Sequence, residues 1–231
     1  MRGEADVAAA AALLSEPARA ALVVALTEHE ELPASALAAH AGIAPSTASE
    51  HLRRLVEGGF IGARKNGRHR YFSLADPAVA DAVEALAIVA PQPPVRSLRE
   101  ATKSELIREA RTCYDHLAGR LGVALASALE EQEVVIRKNG GYELGRRAET
   151  RCKELGIDLA EIEAQRRPVV RGCLDWSERE LHVAGGLGAA LATRFFELGW
   201  IKRRDGNRSV EVVDASAVLC STPYRTTSRT A

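Results

Sequence analysis

The stretch from Leu37 to Leu74, LAAHAGIAPSTASEHLRRLVEGGFIGARKNGRHRYFSL, leaves the chain few folds to choose from. Leu37, Ala41, Ile43, Ala48, Leu52, Leu55 and Val56 recur near a 3.6-residue period, which predicts two helices sharing one buried face. Gly42 breaks the pattern where the chain must turn sharply. Pro45 suits the first turn of the next helix, where its missing N–H is no loss. That second helix carries Ser46, Thr47, Ser49, Glu50, His51, Arg53 and Arg54 outside its apolar stripe. Short hydroxyl residues near a helix start, with arginines further along, suit a helix lying in a DNA major groove.

A basic hairpin follows. Phe60 and Ile61 open one strand, Tyr71, Phe72 and Leu74 form its return, and Asn66-Gly67 is a type I′ turn signal at the tip. Arg64, Lys65, Arg68 and Arg70 crowd that tip. From His51 to Phe72 there are six Lys/Arg residues and one acid, Glu57. A basic hairpin after a two-helix reader is a wing placed to touch phosphates. Duplex DNA is therefore the expected partner. A winged helix used only for protein contacts is the alternative.

These motifs resemble a known family. LLSEPARAALVVAL, Leu13 to Leu26, looks like the first core helix of the ArsR-type bacterial regulators; PSTASEHLRRLVEGGFI is similar to their recognition helix and RKNGRHRYFSL to their wing. The likeness covers about residues 7 to 90. It implies a homodimeric transcriptional regulator, commonly a repressor that an effector releases from its operator. Two readers on a two-fold axis should favour an inverted-repeat operator. By motif position it implies that Ser46, Thr47, Ser49, His51 and Arg54 face DNA, with Arg68 and Arg70 on the wing. The metal-sensing members often carry Cys-x-Cys before the recognition helix, or Asp and His on the helix after the wing. Here LPASALAAHAG has no cysteine and DPAVADAVEALAIVA no histidine, so the effector cannot be borrowed from the family.

The chain of 231 residues suggests one large or two modest domains, and at 46% hydrophobic it can bury a core. No apolar run is long enough to span a membrane, and the N-terminus has no export signal pattern. Cys113, Cys152, Cys173 and Cys220 lack disulfide-module spacing, so a reducing cytoplasm fits best. Net charge is zero, which opposes general coating of nucleic acid but not specific binding by a locally basic face.

PQPPVRS, residues 91–97, sets a boundary, since three prolines in four residues cannot continue a helix. Beyond it lies a repeat. HLAGRLGVAL from His116 returns as HVAGGLGAAL from His182, identical at seven of ten positions. Each copy, about 113–144 and 179–212, reads as a helix followed by a hairpin with Asn-Gly or Asp-Gly at its tip. Helices around Gly145–Leu155 and Leu159–Arg167 would join the copies. CYDHLAGRLGVAL and CLDWSERELHVAGGLGAAL resemble the C-terminal extension of a subgroup of ArsR-like regulators, which implies an added sensory or assembly domain. The expected class is mainly α with small β-hairpins. An N-terminal winged helix-turn-helix (residues 1–90) precedes a pseudo-duplicated, winged-helix-like helical domain (98–214). Residues 215–231, rich in Ser and Thr, read as a disordered tail.

The repeated segment also carries chemistry. Cys113 and His116 are three apart, as on one helix face. Ser177-x-x-Glu180 reads as a capping box that would start the helix bearing His182, with Glu178 four residues before it. If the copies are equivalent, His116 and His182 approach across a pseudo-two-fold axis. Cys113, His116, Cys173 and His182 then make a thiolate/imidazole set for Zn²⁺ or another transition metal ion. The alternative is packing alone, because each copy places glycines in A-G-x-L-G, where a helix that loses about 0.8–1.0 kcal/mol per Gly gains close approach. An enzyme built on Cys113, Asp115 and His116 would need an oriented base and an oxyanion site, and no nucleophile turn or phosphate loop is present, so no enzyme is expected.

Overall fold

The computed structural model describes residues 5–29, 31–91, 94–204 and 207–219. The chain divides into two compact units, Met1–Leu86 and Ala87–Ala231. The boundary falls inside a helix and so ahead of the Pro-rich segment.

The first unit opens with α1 (Val7–Leu14) and α2 (Pro17–Glu28), which meet at a bend of 92°. Pro17 sits in the first turn of α2, where it can start a helix but not continue one. A short strand β1 (Leu32–Pro33) leads to α3 (Ala34–Ala41) and α4 (Pro45–Glu57). Gly42, at φ 65, ends α3 in a left-handed turn that a side chain would resist. The hairpin β2 (Ile61–Asn66) and β3 (His69–Leu74) joins β1 in a three-stranded sheet, and α5 (Pro77–Val89) follows. Leu22, Leu26, Leu37, Leu52, Leu55, Ile61 and Phe72 form the core. Each fully buried aliphatic side chain contributes about 1.5–3 kcal/mol.

The hairpin tip departs from expectation. Asn66 pairs with His69, so the two-residue loop is Gly67–Arg68. Of these two only Gly67 has a positive φ, 59°, which fits a type II′ turn rather than I′. Ile61 and Phe72 explain the shift. Both face the core, and slipping the register by one residue would turn them outward.

The second unit begins with α6 (Leu98–Glu109), capped by Ser97, whose Oγ accepts from the Glu100 N–H while the Glu100 carboxylate accepts from the Arg96 N–H. Two similar blocks follow. The first is β4 (Arg111–Cys113), β5 (His116–Ala118), α7 (Gly119–Glu131), β6 (Val135–Lys138) and β7 (Gly141–Leu144). Then come α8 (Ala148–Glu154) and α9 (Leu159–Glu163). The second block is β8 (Arg171–Leu174), β9 (Leu181–Ala184), α10 (Gly185–Glu197), β10 (Ile201–Arg203) and β11 (Val210–Val212), with α11 (Ala215–Val218) last. Each block is hairpin, helix, hairpin, and the halves are exchanged in packing: α7 lies against β9 and α10 against β5. Leu121, Leu125, Leu129, Leu187, Leu191 and Phe195 fill the shared core.

Three expectations change here. His116 and His182 lie on strands, not helices, and Ser177–Glu180 sits in the turn between β8 and β9 rather than starting a helix. The helices start at Gly119 and Gly185, which have φ values of 75° and 83° that break the chain direction just before each helix. Nor does the tail begin at residue 215. Val218 and Leu219 are buried in the core, anchoring α11, and the rest of the tail, with Cys220, lies outside the described residues. Among the described residues no single helix is long and apolar enough to cross a membrane.

Candidate nucleic-acid interface and metal centre

The basic face of the first unit is built by α4 and the wing. Ala48, Leu52 and Leu55 anchor α4 in the core, which leaves Ser46, Thr47, Ser49, Arg53 and Arg54 exposed. His51 is half-buried, with no hydrogen-bond partner at Nδ1, so it is less available than the rest. Arg53 grips both Glu50 (2.7 Å) and Glu57 (2.6 Å), and Arg54 also holds Glu50 at 2.9 Å. Hydrogen bonds from Arg53 and then Arg54 draw the Glu50 carboxyl down to about 2. Exposed pairs of this kind hold their partners weakly, so both arginines can exchange a carboxylate for a phosphate or a base edge. On the wing, Arg64 pairs with Glu31 at 2.6 Å and lies over Tyr71, while Lys65, Arg68 and Arg70 are exposed. A groove between the start of α4 and the wing is lined by Pro45, Ser49, Arg68 and Arg70, among others.

In the second unit, Cys113, His116, Cys173 and His182 come together with their ligand atoms all within 4.8 Å of one another. Strand register does this twice over. Cys113 faces His116 across β4–β5 and Cys173 faces His182 across β8–β9. The two hairpins then meet with Cys113 Sγ 3.9 Å from Cys173 Sγ and His116 Nε2 3.1 Å from His182 Nε2. Both histidines and Cys113 are buried, and Cys173 is half-buried. A tetrahedral ion with Zn–S of about 2.3 Å and Zn–N of about 2.0–2.1 Å sets its sulfurs about 3.8 Å and its nitrogens about 3.3 Å apart. The cluster's own spacings are close to both.

Glycine is required where each helix turns back against the carbonyl of its own strand, beside the other half's histidine. A Cβ at Gly122 would lie 2.5 Å from the Leu117 carbonyl oxygen and 3.5 Å from His182 Cβ. At Gly188 it would lie 2.6 Å from the Val183 oxygen and 3.1 Å from His116 Cβ. The repeated A-G-x-L-G segment therefore lets each helix pack beneath the other half's histidine.

Electrostatics within the cluster are uneven. Burial opposes a charged His116, yet hydrogen bonds with Asp115 and Cys173 hold its pKa above the usual value. Burial and the neighbouring His116 push His182 the other way. The Cys173 thiol is drawn far down, first by its hydrogen bond from Cys113 and then by both histidines, against burial.

Four further residues support the rings, and the sequence reading gave them no role at the cluster. Asp115 Oδ1 lies 3.1 Å from His116 Nδ1, and Asp115 Oδ2 accepts from Arg167 Nη1 at 2.6 Å. Asp175 Oδ2 lies 3.5 Å from His182 Nδ1 and accepts from Arg111 Nη2 at 2.9 Å and from the Gly119 N–H at 2.6 Å. Asp175 Oδ1 accepts from the N–H groups of Ser177 and Glu178 and from Ser177 Oγ. Burial would raise the Asp175 carboxyl, but the Arg111 charge and these donors carry it well below the ordinary range. A signal existed: Arg111-x-Cys113-x-Asp115 repeats as Arg171-x-Cys173-x-Asp175, upstream of the longer match. A longer turn in the second copy separates that motif from its histidine and hides the alignment.

Comparison with known proteins agrees with the first unit's architecture. Residues 14–61 match the helix-turn-helix domain family. The chain is 39% identical over 213 residues to the HTH-type transcriptional regulator YdfF of Bacillus subtilis (strain 168), spanning 92% of this chain and 94% of that one. It is 37% identical over 70 residues to a probable mercury resistance operon repressor of Streptomyces lividans, covering 30% of this chain and 55% of the relative. A solved structure of a homodimeric winged helix-turn-helix DNA-binding domain from Mycobacterium bovis, a possible ArsR-family regulator, is 28% identical with a TM-score of 0.34, covering 38% of this chain and 89% of that one. The similarity to YdfF runs through both units, so the chain belongs to the HTH-type transcriptional regulators.

Proposed function

We propose that the chain is a homodimeric repressor that grips an inverted-repeat operator through residues 1–90, and that a metal ion held by Cys113, His116, Cys173 and His182 tunes this grip. Residues 98–214 are then the sensory domain and 91–97 a stiff connector. The observation that carries the effector half is the pair of cluster edges, 3.9 Å between sulfurs and 3.1 Å between nitrogens, close to those of a tetrahedral N₂S₂ ion. Thiolates with imidazoles favour borderline-soft ions such as Zn²⁺ over hard ones. All four positions of such an ion would be filled by protein, which suits sensing rather than hydrolysis. The name of the Streptomyces lividans relative accords with a thiophilic ion as effector.

Dimerisation is supported by uncovered apolar surface. α1 buries no residue and leaves Val7 73% exposed, while α5 leaves Leu86 at 50% and Val89 at 78%. Uncovered apolar side chains on these helices suit a dimer contact. Two readers on a two-fold axis favour half-sites about 34–36 Å apart. Selection of genomic fragments by the purified protein tests this, and a monomer without preference for inverted repeats would defeat it.

Within the reader, Arg54→Ala is expected to cost about 1–3 kcal/mol at one operator position and relax preference there. Arg68→Ala and Arg70→Ala should weaken all sequences alike and flatten the salt dependence, because wing arginines meet phosphates. Affinities measured on a panel of single-base operator variants at several salt concentrations separate the two. Equal, sequence-independent losses at all three positions would remove Arg54 from the base-reading set.

A further inference from the structure

Resting on the cluster as an ion site, we propose that Asp115 and Asp175 are positioning residues, each fixed by an arginine from outside its own half of the repeat, that keep both imidazoles turned with Nε2 toward the ion. The geometry is doubled. Arg167, just ahead of the second copy, holds Asp115 of the first, and Asp115 meets His116 Nδ1. Arg111 of the first copy holds Asp175 of the second, and Asp175 Oδ2 lies 3.5 Å from His182 Nδ1, an ion-pair contact looser than the Asp115–His116 hydrogen bond. A carboxylate at Nδ1 keeps the proton on that nitrogen, which leaves the Nε2 lone pair free for a ligand bond and stops the ring from turning. The two Nε2 atoms face each other across 3.1 Å; with no ion between them one carries a proton that the other accepts, and an ion that takes both nitrogens displaces it. Because each brace comes from outside the half that it steadies, neither ring is oriented by its own repeat alone.

The arms differ in surroundings. Arg111 and Asp175 are fully buried, and Asp175 also ties down Gly119, Ser177 and Glu178. Asp115 and Arg167 are 26% and 30% exposed. The buried arm therefore serves the fold as well, whereas the partly exposed arm can be altered at little cost to stability. It is the place to test the positioning role.

The experiment uses the full chain and zinc alone. Zinc affinity is measured by chelator competition for wild type, Asp115→Leu, Asp115→Asn and Arg167→Ala, alongside the unfolding midpoint of each metal-free protein. Asp115→Leu should bind zinc about 10–100-fold more weakly, and Arg167→Ala should lose less. Asp115→Asn, which keeps an acceptor, should stay nearer wild type than Asp115→Leu. The metal-free midpoints should remain together. In ¹⁵N-edited NMR spectra of the zinc-loaded protein, the Nδ1–H proton of His116 should broaden away in Asp115→Leu while that of His182 persists. Wild-type affinity in Asp115→Leu, a persisting His116 signal, or a loss of affinity matched by a fall in the metal-free midpoint would each overturn the positioning role. If wild type takes up no zinc, the ion-site proposal itself fails. The His116 Nδ1–H signal in the metal-free protein, present in wild type and absent in Asp115→Leu, then still decides whether Asp115 holds that proton.

Discussion

Replacing Asp175 with alanine is expected to destabilise the second unit by about 3–5 kcal/mol, the usual consequence of leaving one member of a buried ion pair alone. Arg111 and Asp175 have no solvent exposure, and their side chains meet at 2.9 Å. Without the carboxylate, the guanidinium stays buried over the Trp176 ring, 4.6 Å from its centroid, with the Ile107 carbonyl and Ser177 hydroxyl as its remaining polar partners. The N–H groups of Gly119, Ser177 and Glu178 lose their acceptor at the same time. Arg111→Met should cost less, because Asp175 keeps those donors. Both tryptophans, Trp176 and Trp200, lie in the second unit, so denaturant unfolding followed by their fluorescence reports on that unit. A loss below about 1 kcal/mol for Asp175→Ala, the scale of an exposed pair, would show the network to be dispensable.

The same carboxylate sets an acid limit. Its pKa is depressed in the folded chain, so its stabilisation is present above the ordinary aspartate value of about 3.9 and is lost as pH falls from there toward the folded value. Wild type should lose stability through that window, and Asp175→Asn should show a flatter profile.

His116→Ala/His182→Ala is expected to abolish uptake of one zinc or cadmium ion per chain, since two of the four ligands disappear. Wild-type uptake should weaken as pH falls through the raised His116 value, where protons compete for the same nitrogens and sulfurs. Equilibrium dialysis across pH checks both statements. Stoichiometric binding by the double variant would mean that the ion sits elsewhere.

Much of the first unit was legible because its local signals agree. Gly42 at the turn, Pro45 at the helix start and the apolar spacing of α4 all demand one arrangement. The wing tip was misplaced by one residue because core-facing Ile61 and Phe72, not Asn66-Gly67, fix the register. In the second unit the duplication brought out the four Cys and His residues that the structure groups. Their setting was misread because a Cys-x-x-His spacing fits a helix face and a two-residue hairpin equally well. Tyr114, at φ 58 in the β4–β5 turn, is a conformation that no periodicity forecasts for a bulky residue. The Arg111–Asp175 pair spans 64 residues of sequence, so only the folded chain brings the two charges together.

Ion binding regulates only if it favours one arrangement of the DNA readers over another. The most direct test is operator affinity, measured with and without one equivalent of zinc per chain, for wild type and for His116→Ala/His182→Ala. A shift of about fivefold or more is expected in wild type and none in the double variant. A wild-type protein that loads zinc with no change in operator affinity, or a double variant that responds as wild type does, would contradict it.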